Sequence, residues 1–338
     1  MMDIDICELR RDFLLSASAA PIFRPDRAPQ PPAGFACAIA IGAFDGVHRG
    51  HRELLTATVR DARERGIAAV AVTFDPDPDC VVTDRPAPKL MSTRDRLTAL
   101  ATSGVDAVFV IPFDEAIAAM DHEAFFRRVV FPLLDVRSIH VGSDFRLGRG
   151  GASTVDVIRT WGEDAGIAVA GHELLRSGDQ PITATRIRAL LAEGELDEVT
   201  HELGRRYFVR GTVQAGRGQG SKMGFPTANI RLPRYIQRPA PGVYAGFALD
   251  GSTAWPAAIN VGVPPTFAGE PGAAELEANF LGFDGDLYDE DISVLFCRQL
   301  RPQQKFDSVD ELVSAVTGNI EDVRELFGDK RVNLGFDF

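Results

Sequence analysis

The sequence predicts an α/β domain built on a parallel sheet, followed by a small antiparallel β-barrel that a C-terminal helix closes. Three observations lead there. From Ala36 to about Glu193, apolar strand-like runs alternate with helical segments, the order expected of a parallel sheet covered by helices. Around Gly194 to Gly204 the periodicity changes to short alternating segments, as it does at a domain boundary. The 338 residues also exceed the roughly 100–200 usual for one domain.

The elements follow in order. Residues 1–34 are a lead-in, read as extended because Pro21, Pro25, Pro29, Pro31 and Pro32 crowd its second half. The first domain, 35–194, opens with a strand at Ala36–Ile41, a glycine-punctuated loop, a helix at Gly50–Arg65 and a strand at Ala68–Phe74. Helices are then predicted over Arg94–Ser103, His122–Phe131, Ser153–Ala165 and Thr185–Glu193, interleaved with strands at Ala107–Ile111, Ser138–Gly142 and Ile167–Ala170. In the second domain, 195–338, strands are predicted at Tyr207–Gln214, Gly242–Leu249, Ala254–Val261, Leu276–Gly282 and Ile292–Leu300. Asp250-Gly251 is a hairpin signal, and Ser308 caps a last helix that runs to Phe327.

Composition narrows the function. A net charge of −12 argues against a general nucleic-acid or membrane-surface binder, so an anionic ligand must be held locally. Cys7, Cys37, Cys80 and Cys297 are far apart, which indicates neither a zinc knuckle nor a disulfide framework and suits a reducing cytoplasm. Arg10 and Arg11 before Phe13–Ala20 imitate an export signal only faintly, because Asp3, Asp5 and Glu8 precede a short, serine-broken apolar stretch. No run approaches the ~20 apolar residues of a membrane span.

Gly42-Ala43-Phe44-Asp45-Gly46-Val47-His48-Arg49-Gly50-His51 lies between an apolar strand and a helix. Glycines there let backbone approach a ligand, and amides opening the helix point at phosphate. A bare H-x-x-H also suits metal binding or plain surface histidines. The strand-loop-helix setting points instead to a nucleotide, with His48 and His51 donating hydrogen bonds as charge builds on an α-phosphate. His122, His140, His172 and His201 are isolated in sequence and read as structural.

This segment resembles the H-x-G-H nucleotidylyltransferases. With Thr73-Phe74-Asp75-Pro76, Val141-Gly142-Ser143-Asp144-Phe145 and Ile182-Thr183-Ala184-Thr185-Arg186-Ile187-Arg188, the chain resembles the prokaryotic bifunctional riboflavin kinase and FMN adenylyltransferase family over about Phe35 to Phe327. The resemblance implies a Rossmann-like first domain that transfers AMP from ATP to FMN. It places Gly42, Phe44, Asp45, Gly50, Asp144 and Thr185 in nucleotide binding, with Thr185 capping a helix and Arg188 neutralising triphosphate or pyrophosphate. Some positions depart from the family pattern. Asp77 stands where a histidine is usual, Thr183 and Ala184 where two serines are, and Val82 and Leu147 where aromatic rings would stack on the flavin. Three readings follow: an enzyme with both activities, a kinase whose adenylyltransferase is degenerate or re-specialised, and a non-catalytic flavin- or nucleotide-binding regulator.

In the second domain, Gly216-Arg217-Gly218-Gln219-Gly220-Ser221-Lys222-Met223-Gly224-Phe225-Pro226-Thr227-Ala228-Asn229 is not a Walker A loop, since the lysine lacks the spaced glycine and following hydroxyl. The glycines run into Thr227 and Asn229, whose side chains share one side of an extended segment and offer hard oxygens to Mg²⁺ carrying ATP. Gly218 and Lys222 complete this candidate phosphate cradle. Pro241–Ala245, Gly262–Phe267 and Phe283–Tyr288 also resemble riboflavin kinase elements, and Arg301, Lys305 and Phe306 fit the same pattern. The resemblance makes Glu277, rather than Glu275, the base that takes the riboflavin ribityl proton. The expected partners are small molecules alone.

Overall fold

The computed structural model describes residues 5–25, 31–32, 34–215, 225–262 and 276–335. Backbone contacts divide the chain into two compact units, Ser18–Ala184 and Met1–Ala17 together with Thr185–Phe338.

In the first unit, strands β1 (Ile22–Phe23), β2 (Ala36–Ile41), β3 (Ala68–Phe74), β4 (Ala107–Ile111), β5 (Asp135–Gly142) and β8 (Ala168–His172) form one sheet in the order β1-β4-β3-β2-β5-β8. Every neighbouring pair is parallel. Ile39, Ile41, Val70, Val72, Phe109 and Ile139 are buried along these strands, which therefore read as unbroken apolar runs. Helix α2 (Arg49–Arg65) packs on β2 and β3, and α7 (Val155–Ala165) packs on β8. The short helices α3 (Asp79–Val82), α5 (Glu115–Ala118) and α6 (His122–Phe125), helix α4 (Thr93–Ala101), and the ribbons β6–β7 (Arg146–Leu147, Ser153–Thr154) and β9–β10 (Arg176–Ser177, Gln180–Pro181) complete the unit. The helix expected over His122–Phe131 changes after Phe125 to a π-turn over Phe126–Val130. The carboxyl ends of β2 and β3 meet the start of α2, the place where open parallel sheets bind ligands.

The second unit holds β11 (Tyr207–Gln214), β12 (Ala228–Arg231), β13 (Gly242–Asp250), β14 (Thr253–Val261), β15 (Leu276–Phe280) and β16 (Asp291–Pro302). Their order, β13-β16-β11-β12-β15-β14, closes through the β13–β14 pair into an antiparallel barrel, and β17 (Val332–Asn333) adds to β14. Irregular register between β13 and β16 falls at Gly246, where a Cβ atom would stand 1.9 Å from the Leu295 carbonyl oxygen. Only glycine fits there. Asp250-Gly251 makes the expected hairpin, with Asp250 opposite Thr253. Ser308 accepts the Glu311 amide at 3.2 Å and opens α10 (Val309–Phe327).

Two larger features also differ from the sequence reading. Part of the lead-in expected to be extended is the helix α1 (Ile6–Asp12), because Leu9 and Phe13, four apart, bury themselves with Phe208, Phe247 and Phe327. Asp12 accepts from Arg206 Nη1 at 2.8 Å and from the Arg206 amide at 3.0 Å, and Ile22–Phe23 adds an edge to the first sheet. The expected division at 194/195 also moves. Helix α8 (Ala184–Glu193) and α9 (Leu196–Leu203) group with the barrel, as Arg186 pairs with Glu202 at 2.6 Å and the Leu191 carbonyl accepts the Ala240 amide at 2.8 Å.

Candidate active sites

The Gly42–His51 loop is shaped by residues that few sequences tolerate. Phe44 (φ 56°), Gly46 (φ 78°) and Val47 (φ 39°) all occupy positive φ, conformations that survive only when the surroundings over-determine them. His48 ends the turn as N-cap of α2, its Nδ1 accepting the His51 amide at 3.4 Å. That bond leaves Nε2 as the protonated nitrogen, a hydrogen-bond donor. The His48 and His51 rings stack at 3.6 Å, and the Phe44 ring meets His51 edge-on at 5.2 Å. Burial, with His48 beside it, holds His51 well below the usual histidine range, so it is neutral at pH 7. Its buried Nδ1 has no hydrogen-bond partner among the described residues.

The other residues expected at a nucleotide site are placed as follows. Asp45 and Phe44 are buried, and Asp45 accepts the Leu90 amide at 2.9 Å, so both shape the loop rather than presenting side chains. Gly50 lies against the His48 ring, where a Cβ would approach Nδ1 to 3.2 Å. Asp144 is exposed in the turn after β5. Thr185 and Arg188 lie in the unit that holds the barrel, with Arg188 Nη1 donating to Thr185 Oγ1 at 3.3 Å. Thr185 is not the cap: the helix begins at Ala184, so Thr183 precedes it.

The departures from the family pattern acquire physical reasons. Asp77 is a partly buried counter-ion, 2.9 Å from Arg96 and 3.3 Å from Lys89; burial pushes its carboxyl up while both cations pull it down. Leu147, like Phe145, packs against the sheet core. Val82 alone is 63% exposed. The histidines read as isolated are not. His140 Nδ1 lies 2.9 Å from His172 Nε2, and His140 Nε2 lies 3.1 Å from Asp61, which also pairs with Ser138 and Arg65. His122 contacts Ser153 at 2.8 Å. Pairing along the parallel sheet brought His140 and His172 together, and only knowledge of β5–β8 adjacency would have shown it.

In the barrel, strand register builds a row. Asn229 of β12 stands opposite Glu277 of β15, and Glu277 stands opposite Asn260 of β14. Buried Leu276, Ala278 and Phe280 alternate with half-buried Glu277 and Asn279, which puts the carboxylate on the face away from the packed interior. Thr227 lies just before β12, two residues from Asn229. Asn279 Nδ2 donates to the Pro226 carbonyl at 2.7 Å and ties this segment to β15. Gln303 Nε2 donates to Asn260 Oδ1 at 2.9 Å. Asn260, Asn279 and Gln303 were not singled out from sequence, since nothing marks them before the barrel closes. Gly218, Lys222 and Glu275 lie outside the described residues. Beside the final helix, Arg301 Nε donates to Asn319 at 3.1 Å and its guanidinium lies 5.4 Å from the Phe306 ring.

The FAD synthetase family model matches residues 31–186 and the riboflavin kinase model residues 203–327. Bifunctional riboflavin kinase/FMN adenylyltransferase of Pseudomonas fluorescens is 33% identical over 291 residues, 86% of this chain and 93% of that protein. The Escherichia coli K12 enzyme of the same name is 34% identical over 294 residues, again 86% and 93%. A solved Streptococcus pneumoniae structure, named a macrolide-efflux protein, superposes with a TM-score of 0.78 at 26% identity, covering 90% of this chain and 98% of that one. No helix among the described residues here is long and apolar enough to cross a membrane. With both family models matched in order and relatives aligned over nearly their whole length, the chain belongs to the bifunctional riboflavin kinase/FMN adenylyltransferase family.

Proposed function

We propose that this protein phosphorylates riboflavin to FMN with Mg-ATP at the barrel row, and transfers AMP from ATP to FMN at the Gly42–His51 loop. The observation that carries the reading is the register setting Glu277 directly opposite Asn229, on the face away from the barrel core. Glu277 takes the ribityl proton as that oxygen bonds the γ-phosphorus and the bond to ADP breaks. Thr227 and Asn229 supply the hard oxygen donors Mg²⁺ prefers; bound there, the ion would draw charge from the phosphates. Gly218 and Lys222 hold the same phosphates.

At the loop, an FMN phosphate oxygen attacks the α-phosphorus of ATP and pyrophosphate leaves. His48, through Nε2–H, and neutral His51 donate to the α-phosphate oxygens as their charge grows. Main-chain groups of Gly42, Phe44, Asp45 and Gly50, with Asp144, hold the nucleotide. Asp77 and Leu147 have structural work of their own, which favours two working sites over a degenerate first one. The four free cysteines suit a cytoplasmic enzyme. Incubation with riboflavin, ATP and Mg²⁺, followed by chromatography, tests the whole. FMN and FAD together support it, FMN alone leaves only the kinase, and neither product leaves a binding protein.

A further inference from the structure

The Gly42–His51 loop is gripped from outside by a charge cluster that touches no substrate in the scheme above. The Ala43 carbonyl oxygen accepts from Arg96 Nη1 at 2.9 Å and from Thr73 Oγ1 at 3.3 Å. The same guanidinium donates to the Phe74 carbonyl at 2.5 Å and to Asp77 Oδ2 at 2.9 Å. Asp77 Oδ1 lies 3.3 Å from Lys89, which also pairs with Asp79, and Asp79 accepts the Ala87 amide at 3.2 Å. Arg96 is 4% and Lys89 8% exposed. Two buried cations are thus balanced by two carboxylates, of which Asp77 alone touches both.

Arg96 suits this place for a geometric reason. A planar fork reaches two main-chain carbonyls and a carboxylate at once, which a lysine ammonium on a flexible stem does not reproduce. The Ala43 peptide leads straight into Phe44, whose left-handed backbone and buried ring set the edge-on contact to His51. A shift of Ala43 therefore passes through one ring to the stacked histidine pair. Without Asp77 the guanidinium would remain buried beside Lys89 with its charge uncompensated, and its aim at Ala43 would change.

We propose that Asp77 and Arg96 are positioning residues for adenylyl transfer: the carboxylate-balanced guanidinium fixes the Ala43 carbonyl and, through Phe44, the orientation of His48 and His51. The proposal rests on the reading that this loop transfers AMP. Its test uses the full chain, because riboflavin phosphorylation in the other unit is a built-in control. Asp77→Asn keeps the shape and removes the charge, Arg96→Lys keeps the charge and removes the fork, and Asp77→Glu restores the charge.

In Asp77→Asn and Arg96→Lys, kcat for FAD formation from supplied FMN falls by about tenfold or more, while KM for ATP moves less than about threefold. Riboflavin phosphorylation stays at the wild-type rate, the His51 imidazole resonance shifts, and Asp77→Glu recovers part of the loss. If Asp77→Asn unfolds the first unit, Arg96→Lys carries the test with the charge balance intact. Wild-type FAD formation in the folded variants overturns the proposal, as does a lost rate with the His51 resonance unmoved. Wild-type protein that makes no FAD overturns the underlying reading as well, and so separates the two failures.

Discussion

The two regions proposed to handle phosphate hold their shape by different means. In the Gly42–His51 loop, three residues at positive φ are fixed by side chains reaching back to main-chain atoms: Arg96 and Thr73 to the Ala43 carbonyl, and Asp45 to the Leu90 amide. In the barrel, Asn229, Glu277 and Asn260 form a row because three strands are hydrogen-bonded in one register. A register is secured by many backbone bonds and shifts only as a whole, whereas a latch depends on single side chains. The loop should therefore be sensitive to residues that never meet substrate. The row should be sensitive chiefly to the group that does the chemistry.

The sharpest way to break that contrast is Glu277→Gln. Losing a positioned general base costs about 10²- to 10⁴-fold, so FMN formation should fall by that factor while FAD formation from supplied FMN continues unchanged. Equal kinase rates in Glu277→Gln and wild type would remove the row as a site, and Glu275→Gln is the comparison that should keep most activity. In the loop, His48→Ala should lower AMP transfer by about 10²- to 10³-fold without touching the kinase rate. Steady-state assays of each half-reaction read both effects.

A smaller effect comes from α1, which lies outside both matched family models yet buries Leu9 and Phe13 against the barrel core. Phe13→Ala should destabilise the barrel by about 3–5 kcal/mol, as large-to-small core changes do. The chain has two tryptophans, Trp161 in the sheet unit and Trp255 in the barrel, so urea unfolding followed through Trp255 in a Trp161→Phe background measures it. Cys297, pushed up to about 12 by burial, borders the same cavity as Asp5 and Leu9. Its labelling by a thiol reagent should accelerate when α1 is loosened. Unchanged unfolding and labelling would make α1 a passenger rather than part of the core.

How legible all this was depended on the range of the interactions. The parallel sheet, the loop after β2, the hairpin at Asp250-Gly251 and the Ser308 cap were legible because each rests on local periodicity or turn chemistry. The opposition of Glu277 to Asn229 was reachable only through resemblance, since it depends on pairing between strands some fifty residues apart. Helix α1 was hidden by the prolines after it, although Leu9 and Phe13 four apart were a usable signal. Asp77 reads only as a departure from the family pattern because its partners, Lys89 and Arg96, follow it by 12 and 19 residues. The cluster of Asp61, His140 and His172 needed sheet adjacency, which no local pattern carries.

Acid sharpens the comparison in its last and smallest form. Burial, with His48 beside it, holds His51 well below its ordinary value of 6.5, and burial with His140 lowers His172 too. The unfolded chain therefore takes up protons below about pH 6.5 that the folded sheet unit refuses, so stability present above that pH declines as pH falls. Burial opposes ionisation of Asp61, but hydrogen bonds from Ser138, Arg65 and His140 outweigh it and hold its carboxyl at about 2, against an ordinary 3.8. Its contribution is complete above 3.8 and is lost as pH falls towards 2. In the barrel unit burial raises Asp12 instead, and a raised carboxyl has the opposite sign: it favours the folded state more as pH falls. Single-tryptophan variants scanned from pH 8 to pH 4 should show the Trp161 transition weakening from about pH 6.5, ahead of the Trp255 transition. If both transitions weaken together, or Trp255 leads, His51 and His172 do not set the acid limit of the sheet unit.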